Sequence, residues 1–243
     1  MNIKTTLKAS VAASAILAVT APVAHAGSVN DGGSNKVVMS GKVVRGLMYA
    51  ESGPQGEWFH GDGGSTSSRV NWLATGNINE NVSVRAYMSL SVPHSDDLSG
   101  ASLSQGGEVT QDNADWGINN IEIKFAHKSM GSLEIGRGSM ASNGRSETDY
   151  SGIGPAFSMG AVGSASGIAF FDDDATKAFS GTTVGTVLSS FDGLSKLERI
   201  RYNLPAFNGL ALAVSTEPGT GGGKADIGGS YTAKFGDSTV KVQ

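Results

Sequence analysis

The sequence predicts an all-β chain folded as an antiparallel up-and-down barrel that crosses a membrane. Three observations predict it. Polar and apolar residues alternate with a strict period of two over segments of membrane-spanning length. No apolar run reaches 18 residues, so no helix crosses a bilayer. Any span has to belong to a closed β-barrel, because lipid offers no hydrogen bonds to an open sheet edge. Short and long connections also take turns along the chain, as they do when short turns lie on one side of a membrane and longer loops on the other. A soluble β-sandwich alternates too, but has no reason to order its connections this way.

Composition narrows the classes further. The chain has 243 residues, of which 16% are charged, well below the usual share for a soluble domain. Gly accounts for 35 residues, about twice its usual share. Hydrophobic content of 39% and a mean hydropathy of −0.10 fit neither a disordered chain nor a helical membrane protein. Cysteine is absent, which excludes disulfide scaffolds, thiolate metal sites and cysteine nucleophiles. A net charge of −4 and a pI of about 5.5 argue against nucleic acid as a partner.

Residues 1–26 read as a secretory signal peptide. Lys4 and Lys8 form a positive start, Val11 to Val19 is an apolar run too short to span, and Ala24-His25-Ala26 is an A-x-A cleavage site. Removal leaves residues 27–243 with a net charge of −6, since the segment holds two lysines and no acid. An exported chain without Cys fits a bacterial envelope.

The expected strands follow in order. The first, Lys36 to Ala50, puts Val43, Arg45, Leu47 and Tyr49 on one face, which aims Arg45 at lipid. A bulge, or burial against another subunit, would resolve this. Residues 51–65 are a long polar connection. Arg69 to Ile78 sets Val70, Trp72, Ala74 and Ile78 against Arg69, Asn71 and Thr75. Asn79-Glu80-Asn81 turns into the clearest strand, Val82 to Val92, whose even positions are apolar and whose odd positions are Ser83, Arg85, Tyr87, Ser89 and Ser91. After the long polar stretch 93–115, Asn120 to His127 alternates Ile121, Ile123 and Phe125 with Asn120, Glu122 and Lys124. Lys128 to Gly131 turns it into Leu133-Glu134-Ile135, with Arg137 beyond, again on the apolar side. Leu197 to Leu204 sets Ile200, Tyr202 and Leu204 against Arg199, Arg201 and Asn203. A turn at Pro205–Gly209 leads to Leu210–Val214. Ile227, Tyr231 and Ala233 alternate with Asp226, Ser230 and Thr232 before a last turn at 235–237. Trp72 and Tyr202 face lipid in this registration and fit an aromatic girdle; ordinary sheet packing fits them as well.

Residues 139–195 form 57 residues without a convincing strand pair, and a loop of that length is usually functional. Gly167–Phe171 and Thr183–Leu188 are its two candidate strands.

Four stretches carry a resemblance: Ser40-Gly41 in the first mature strand, Gly131 to Ser139 (GSLEIGRGS), Arg201 to Leu210 (RYNLPAFNGL), and Lys234-Phe235-Gly236-Asp237. In these the chain resembles the Gram-negative general diffusion porins of the alphaproteobacterial type, over nearly all of the mature sequence. The resemblance implies a 16-stranded barrel in the outer membrane, a homotrimer, passive passage of small hydrophilic solutes and ions, no enzyme activity and no cofactor. It implies that the third outer loop folds inward to narrow the pore, and residues 139–195 stand in that loop's place. Such porins end in an aromatic residue, whereas this chain ends Thr239-Val240-Lys241-Val242-Gln243. About eight to nine strands are therefore present, and the sequence looks truncated at its C-terminus.

On this reading the pore wall is basic, formed by Arg69, Arg85, Lys124, Arg199 and Arg201, and the loop brings Glu147 and Asp149 to the constriction. Acidic groups facing a basic wall put a transverse field across the pore, which favours dipolar solutes over apolar ones. Asp172, Asp173 and Asp174 are a weak calcium candidate, since adjacent residues of an extended segment point apart. His60, His94 and His127 lack metal-ligand spacing. Gly136 and Gly138 read as strand-end flexibility, and no catalytic set is visible. The alternative from another class is a secreted or surface β-rich domain, such as an adhesin, that binds a ligand and forms no pore. The test between them is the outward face, which a pore keeps apolar and uncovered.

N-terminal sequencing of the protein from cell envelopes is expected to begin at Gly27; a retained Met1 would contradict export. Genomic sequence is expected to continue past the codon for Gln243 by roughly seven strands, because an open sheet edge costs several kcal/mol for each unsatisfied backbone group in lipid.

Overall fold

The computed structural model describes residues 17–20, 25–30, 35–63, 67–92, 98–103, 116–146, 163–173, 178–188, 192–219 and 222–243. Among them the strands are β1 (Leu17–Thr20), β2 (His25–Asn30), β3 (Lys36–Lys42), β4 (Val44–Ser52), β5 (Gln55–Gly61), β6 (Arg69–Asn77), β7 (Val82–Ser91), β8 (Gly117–His127), β9 (Gly131–Ser139), β10 (Ala169–Asp172), β11 (Ala178–Thr183), β12 (Lys196–Asn203), β13 (Leu210–Glu217), β14 (Lys224–Phe235) and β15 (Ser238–Val242). All named pairings are antiparallel.

The main sheet runs β15-β14-β13-β12-β9-β8-β7-β6-β3-β2. Each strand lies beside its neighbour in sequence, except where the β4–β5 hairpin separates β3 from β6 and where the inserted segment separates β9 from β12. This is the up-and-down order that alternation and connection lengths predict, and the sheet is open, with β2 and β15 at its edges. Strands β6 to β9 are 9 to 11 residues long, enough to cross a bilayer when tilted.

Register turns the period of two into two continuous faces. Val37, Ala74, Ala86, Ile123, Ile135 and Ile200 are successive cross-strand partners. A second apolar row joins Phe125, Leu133, Tyr202, Val214 and Ile227. Ile123 and Ile135 are each 45% exposed and Ile227 68%, so the apolar face is uncovered among the described residues. Tyr202 lies on it and its hydroxyl donates to the Met130 carbonyl in the β8–β9 turn. Trp72 shares this face through its partners Met39 and Met88.

Three local expectations are corrected. Residues 51–65 are not one long loop. Gly53, at φ 60°, and Pro54 form a two-residue turn, and β5 pairs back on β4 from Ser52–Gln55 to Gly46–Gly61. A tight turn of this kind is what a positive-φ glycine permits. The first strand is broken at Val43, and the seam is bonded. Ser68 Oγ accepts from Val44 N at 2.9 Å and donates to Asp62, and Asp62 sits 3.6 Å from Arg45. Arg45 thus has a carboxylate partner beside the break. In the inserted segment β10 pairs with β11, but Val184–Val187, expected as strand, is one helical turn held by the Thr186 hydroxyl on Thr183.

The apolar core lies away from the main sheet. Met48, Ala50 and Phe59, on one face of the β4–β5 hairpin, pack with Leu98, Ala101, Leu103, Ile168 and Val184. On the opposite face Tyr49 and Trp58 stack with ring centroids 5.2 Å apart. Phe171 N donates to Ser52 Oγ at 3.0 Å. The distal part of the inserted segment is therefore fastened to the first hairpin.

Ile135→Lys, in the middle of the apolar row, is expected to destabilise the folded protein in lipid vesicles by about 2–4 kcal/mol. Ser83→Lys, on the polar face, is expected to leave it nearly unchanged. Denaturant midpoints read by tryptophan fluorescence compare the two; equal midpoints would show that the two faces see the same medium.

Candidate functional site

The polar face carries the chemistry. One cross-strand row reads Lys36, Thr75, Arg85, Lys124, Glu134, Arg201, Ser215 and Asp226. The adjacent row holds Tyr87, Glu122, Gly136 and Arg199. Four of the five expected wall residues, Arg85, Lys124, Arg199 and Arg201, stand on these two rows; Arg69 lies on a separate row of the same face, between Lys42 and Ser91. Arg69 opens β6 and its Nε donates to the Ser67 carbonyl at 3.2 Å.

The basic side chains are joined by two carboxylates. Arg199 Nη2 lies 2.7 Å from Glu122 Oε2 and 2.8 Å from Glu134 Oε2. Arg85 Nη2 takes the other oxygen of Glu122 at 2.7 Å, and Lys124 takes that of Glu134 at 3.1 Å. Arg199 is only 2% exposed, and its Nε and Nη1 donate to the carbonyls of Ser139 and Gly136. It is the buried centre of the cluster, whereas Arg85 and Lys124, 40% and 31% exposed at their side chains, meet solvent. They border a depression of about 470 Å³ with Thr75, Asn77, Ser83 and Ala126.

Two glycines of β9 border this cluster, and one of them makes room for it. A Cβ at Gly138 would collide with Glu122 Oε2 and with the Arg199 guanidinium. Gly136, at φ 112°, lies inside β9 and turns its carbonyl to Arg199. The expectation of strand-end flexibility is corrected: both positions are within the strand, the missing side chain of Gly138 leaves the space that the buried charges occupy, and a Cβ at Gly136 would meet the backbone of Ile121 and Glu122.

The inserted segment starts on this wall. Arg201 Nη1 donates to the carbonyls of Ser139 and Met140 at 3.1 Å. Asp226 accepts from Ser142 N at 2.8 Å, Ser142 Oγ at 2.5 Å and Ala141 N at 3.3 Å, and from the Ser215 hydroxyl. Glu147 and Asp149, expected at the constriction, lie outside the described residues, as do His94 and Asp174. Asp172 closes β10 and Asp173 follows it. Among the described residues no three His, Cys, Asp or Glu side chains come together as a cation site. His60, within the stretch 51–65 expected as a long connection, lies in β5, and His127 ends β8, its Nδ1 accepting from Ser129 N at 3.2 Å. Arg137, expected to face lipid, donates from Nε to the Ile118 carbonyl and stands opposite Glu198.

Glu122, Glu134 and Asp226 are the residues that sequence reasoning did not single out. A signal for Glu134 was present: with the turn centred on Ser129, hairpin register places Lys124 opposite Glu134.

The family model of the Gram-negative porins matches residues 12–243. This chain belongs to the Gram-negative porin family. That places the porin in the outer membrane. No curated protein and no solved structure matched it.

Replacing Arg199 by Met leaves two buried carboxylates without their shared partner and is expected to cost about 3–5 kcal/mol. Adding Glu122→Gln and Glu134→Gln is expected to recover most of that loss. Unfolding midpoints of the single and triple variants measure both; equal midpoints would mean that the cluster is not coupled.

Proposed function

We propose that the porin is a passive channel for small hydrophilic solutes and ions, exported through removal of residues 1–26 and working as a homotrimer. The observation that carries the reading is the pairing of an uncovered apolar face with a charged, hydrogen-bonded opposite face on one up-and-down sheet. A soluble ligand-binding domain would bury the first of these against a second layer.

Arg69, Arg85, Lys124, Arg199 and Arg201 form the wall in this proposal, in graded roles. Arg85 and Lys124 meet the solute beside the depression they border. Arg199, buried between Glu122 and Glu134, fixes the cluster rather than touching what passes. Fixed charges of this kind act on a dipolar solute without having to reorganise as it moves. Glu147 and Asp149 complete the arrangement from the inserted segment, six and eight residues beyond Ala141. Passage needs no cofactor and no reaction, since the wall supplies only position and field.

Planar-bilayer recording tests the proposal. The natural protein is expected to conduct without added ligand, and Glu147→Gln with Asp149→Asn is expected to shift the reversal potential toward anion selectivity. An unchanged reversal potential would remove those two residues from the constriction; absence of any conductance would overturn the channel reading.

A further inference from the structure

The depression beside Arg85 and Lys124 sits at one end of the polar face. Thr75, Arg85 and Lys124 are cross-strand partners, and Asn77, Ser83 and Ala126 form the next row. Two residues beyond that row the chain enters the short turns at 79–81 and 128–130. In an outer-membrane barrel short turns lie on the periplasmic side. The inserted segment leaves β9 after Ser139, five residues past Glu134, the partner of Lys124. At about 3.3 Å per residue that is roughly 16 Å along the strand. The depression is therefore separate from the place where that segment meets the wall.

Its charge is not balanced. Arg85, Lys124 and Arg199 share two carboxylates, Glu122 and Glu134. The joined group keeps one positive charge that it does not neutralise. Arg199 is buried, so Arg85 and Lys124 present that surplus. Lys36, the cross-strand partner of Thr75, adds a cation from β3. Glu122 takes Nη2 of Arg85, while Arg85 Nε has no acceptor among the described residues. The Tyr87 ring lies 5.8 Å from the guanidinium carbon. One carboxylate and one ring thus place a side chain that has donors to spare. Thr75, Asn77 and Ser83 add neutral hydrogen-bonding groups to the lining. The volume of about 470 Å³ is that of pockets that take small organic ligands.

We propose that this depression is a subsite for the phosphate group of a small phosphorylated solute, at the periplasmic end of the pore. The proposal rests on the channel reading above and names a solute class for it. Arg85 and Lys124 take phosphate oxygens by charge-assisted hydrogen bonds, the guanidinium through an edge that Glu122 leaves open. The hydroxyls of Thr75 and Ser83 and the amide of Asn77 stand around them. A phosphate offers oxygens in several directions and suits donors that surround it, whereas the two oxygens of a carboxylate lie in one plane. Glu122 and Glu134 stay on Arg199, so binding leaves the buried pairing intact. They also temper the two outer cations, which keeps the site weak enough to release what it holds, as conduction requires.

The test is planar-bilayer recording of the natural full-length protein in potassium chloride, with glycerol phosphate as probe and glycerol as its neutral counterpart. Glycerol phosphate is expected to lower the single-channel conductance along a saturating curve, and glycerol is not. Lys124→Gln is expected to raise the half-saturating concentration about tenfold, the usual worth of a hydrogen bond to a charged group. Lys124→Arg is expected to keep it near the natural value. Thr75→Val, which removes no charge, is expected to raise it severalfold. Lys42→Gln, at the opposite end of the same face, is expected to leave it unchanged, which separates a local site from the general charge of the pore. Conductance in chloride alone shows that each variant forms channels. Inorganic phosphate separates the sources: an equal or stronger response to it means that the depression takes a bare ion, and overturns the solute class. A response that does not saturate, or a half-saturating concentration that Lys124→Gln and Thr75→Val both leave unchanged, overturns the subsite while the channel reading stands. A natural protein that forms no channels overturns the channel reading, and the subsite with it.

Discussion

A guanidinium holds its N–H donors in a rigid planar fork, and Arg199 places that fork where the sheet, the charge rows and the inserted segment meet. Two of its directions go to backbone carbonyls of β9 and the remaining nitrogen to two carboxylates. A buried cation is tolerated only when paired and hydrogen-bonded, so the surrounding sequence has to supply all of these acceptors together. Glu122 comes from β8 and Glu134 from β9, and neither carboxylate is the neighbour of Arg199 in sequence. The cluster therefore forms only when β8, β9 and β12 stand in the register observed. A slip by one residue would send Arg199 to the lipid face and leave both acids without it.

The same constraint explains Gly138 of β9. Space for a guanidinium between strands has to come from absent side chains, and Gly138 provides it. An isolated glycine weakens a strand, and at Gly138 that cost is offset by the ion pairs the gap admits. The Ser139 carbonyl that follows is shared by Arg199 and Arg201, and the chain leaves the wall directly after it. The buried charge and the path of the inserted segment are consequently one local problem with one solution.

Much of this was legible in the sequence, and the boundary is physical. Alternation carries facing, so the apolar rows through Ile123, Ile135 and Ile200 and the polar positions of Arg85, Lys124, Arg199 and Arg201 followed from periodicity alone. Short turns such as Lys128–Met130 fixed strand pairing between neighbours. What periodicity lacks is depth and partner. It assigned Glu122 to the polar face but held no information that Arg199, 77 residues away, would share its carboxylate. The β5 strand was hidden because Gly53 and Pro54 resemble the start of a loop as well as a two-residue turn. The anchoring of Asp226 was hidden because its partners at 141 and 142 lie beyond the end of any strand pattern. Gly136 and Gly138 were misread for the same reason: an absent side chain signals flexibility or room, and only the neighbours decide which.

The burial of Arg199 bears on how the wall responds to its surroundings. Exposed charges are screened by dissolved ions within about 10 Å at 0.1 M salt, and buried or partly buried pairs much less. Arg199 and its two acids are enclosed by strand backbone and by each other, while Arg85 and Lys124 alone of the joined group reach open water. Most of the charge in the cluster is thus inaccessible to mobile counter-ions. The pairing of Arg199 with its two acids belongs to the fold and persists in dilute and in saline water alike, while the outer charges of Arg85 and Lys124 are the ones that salt screens.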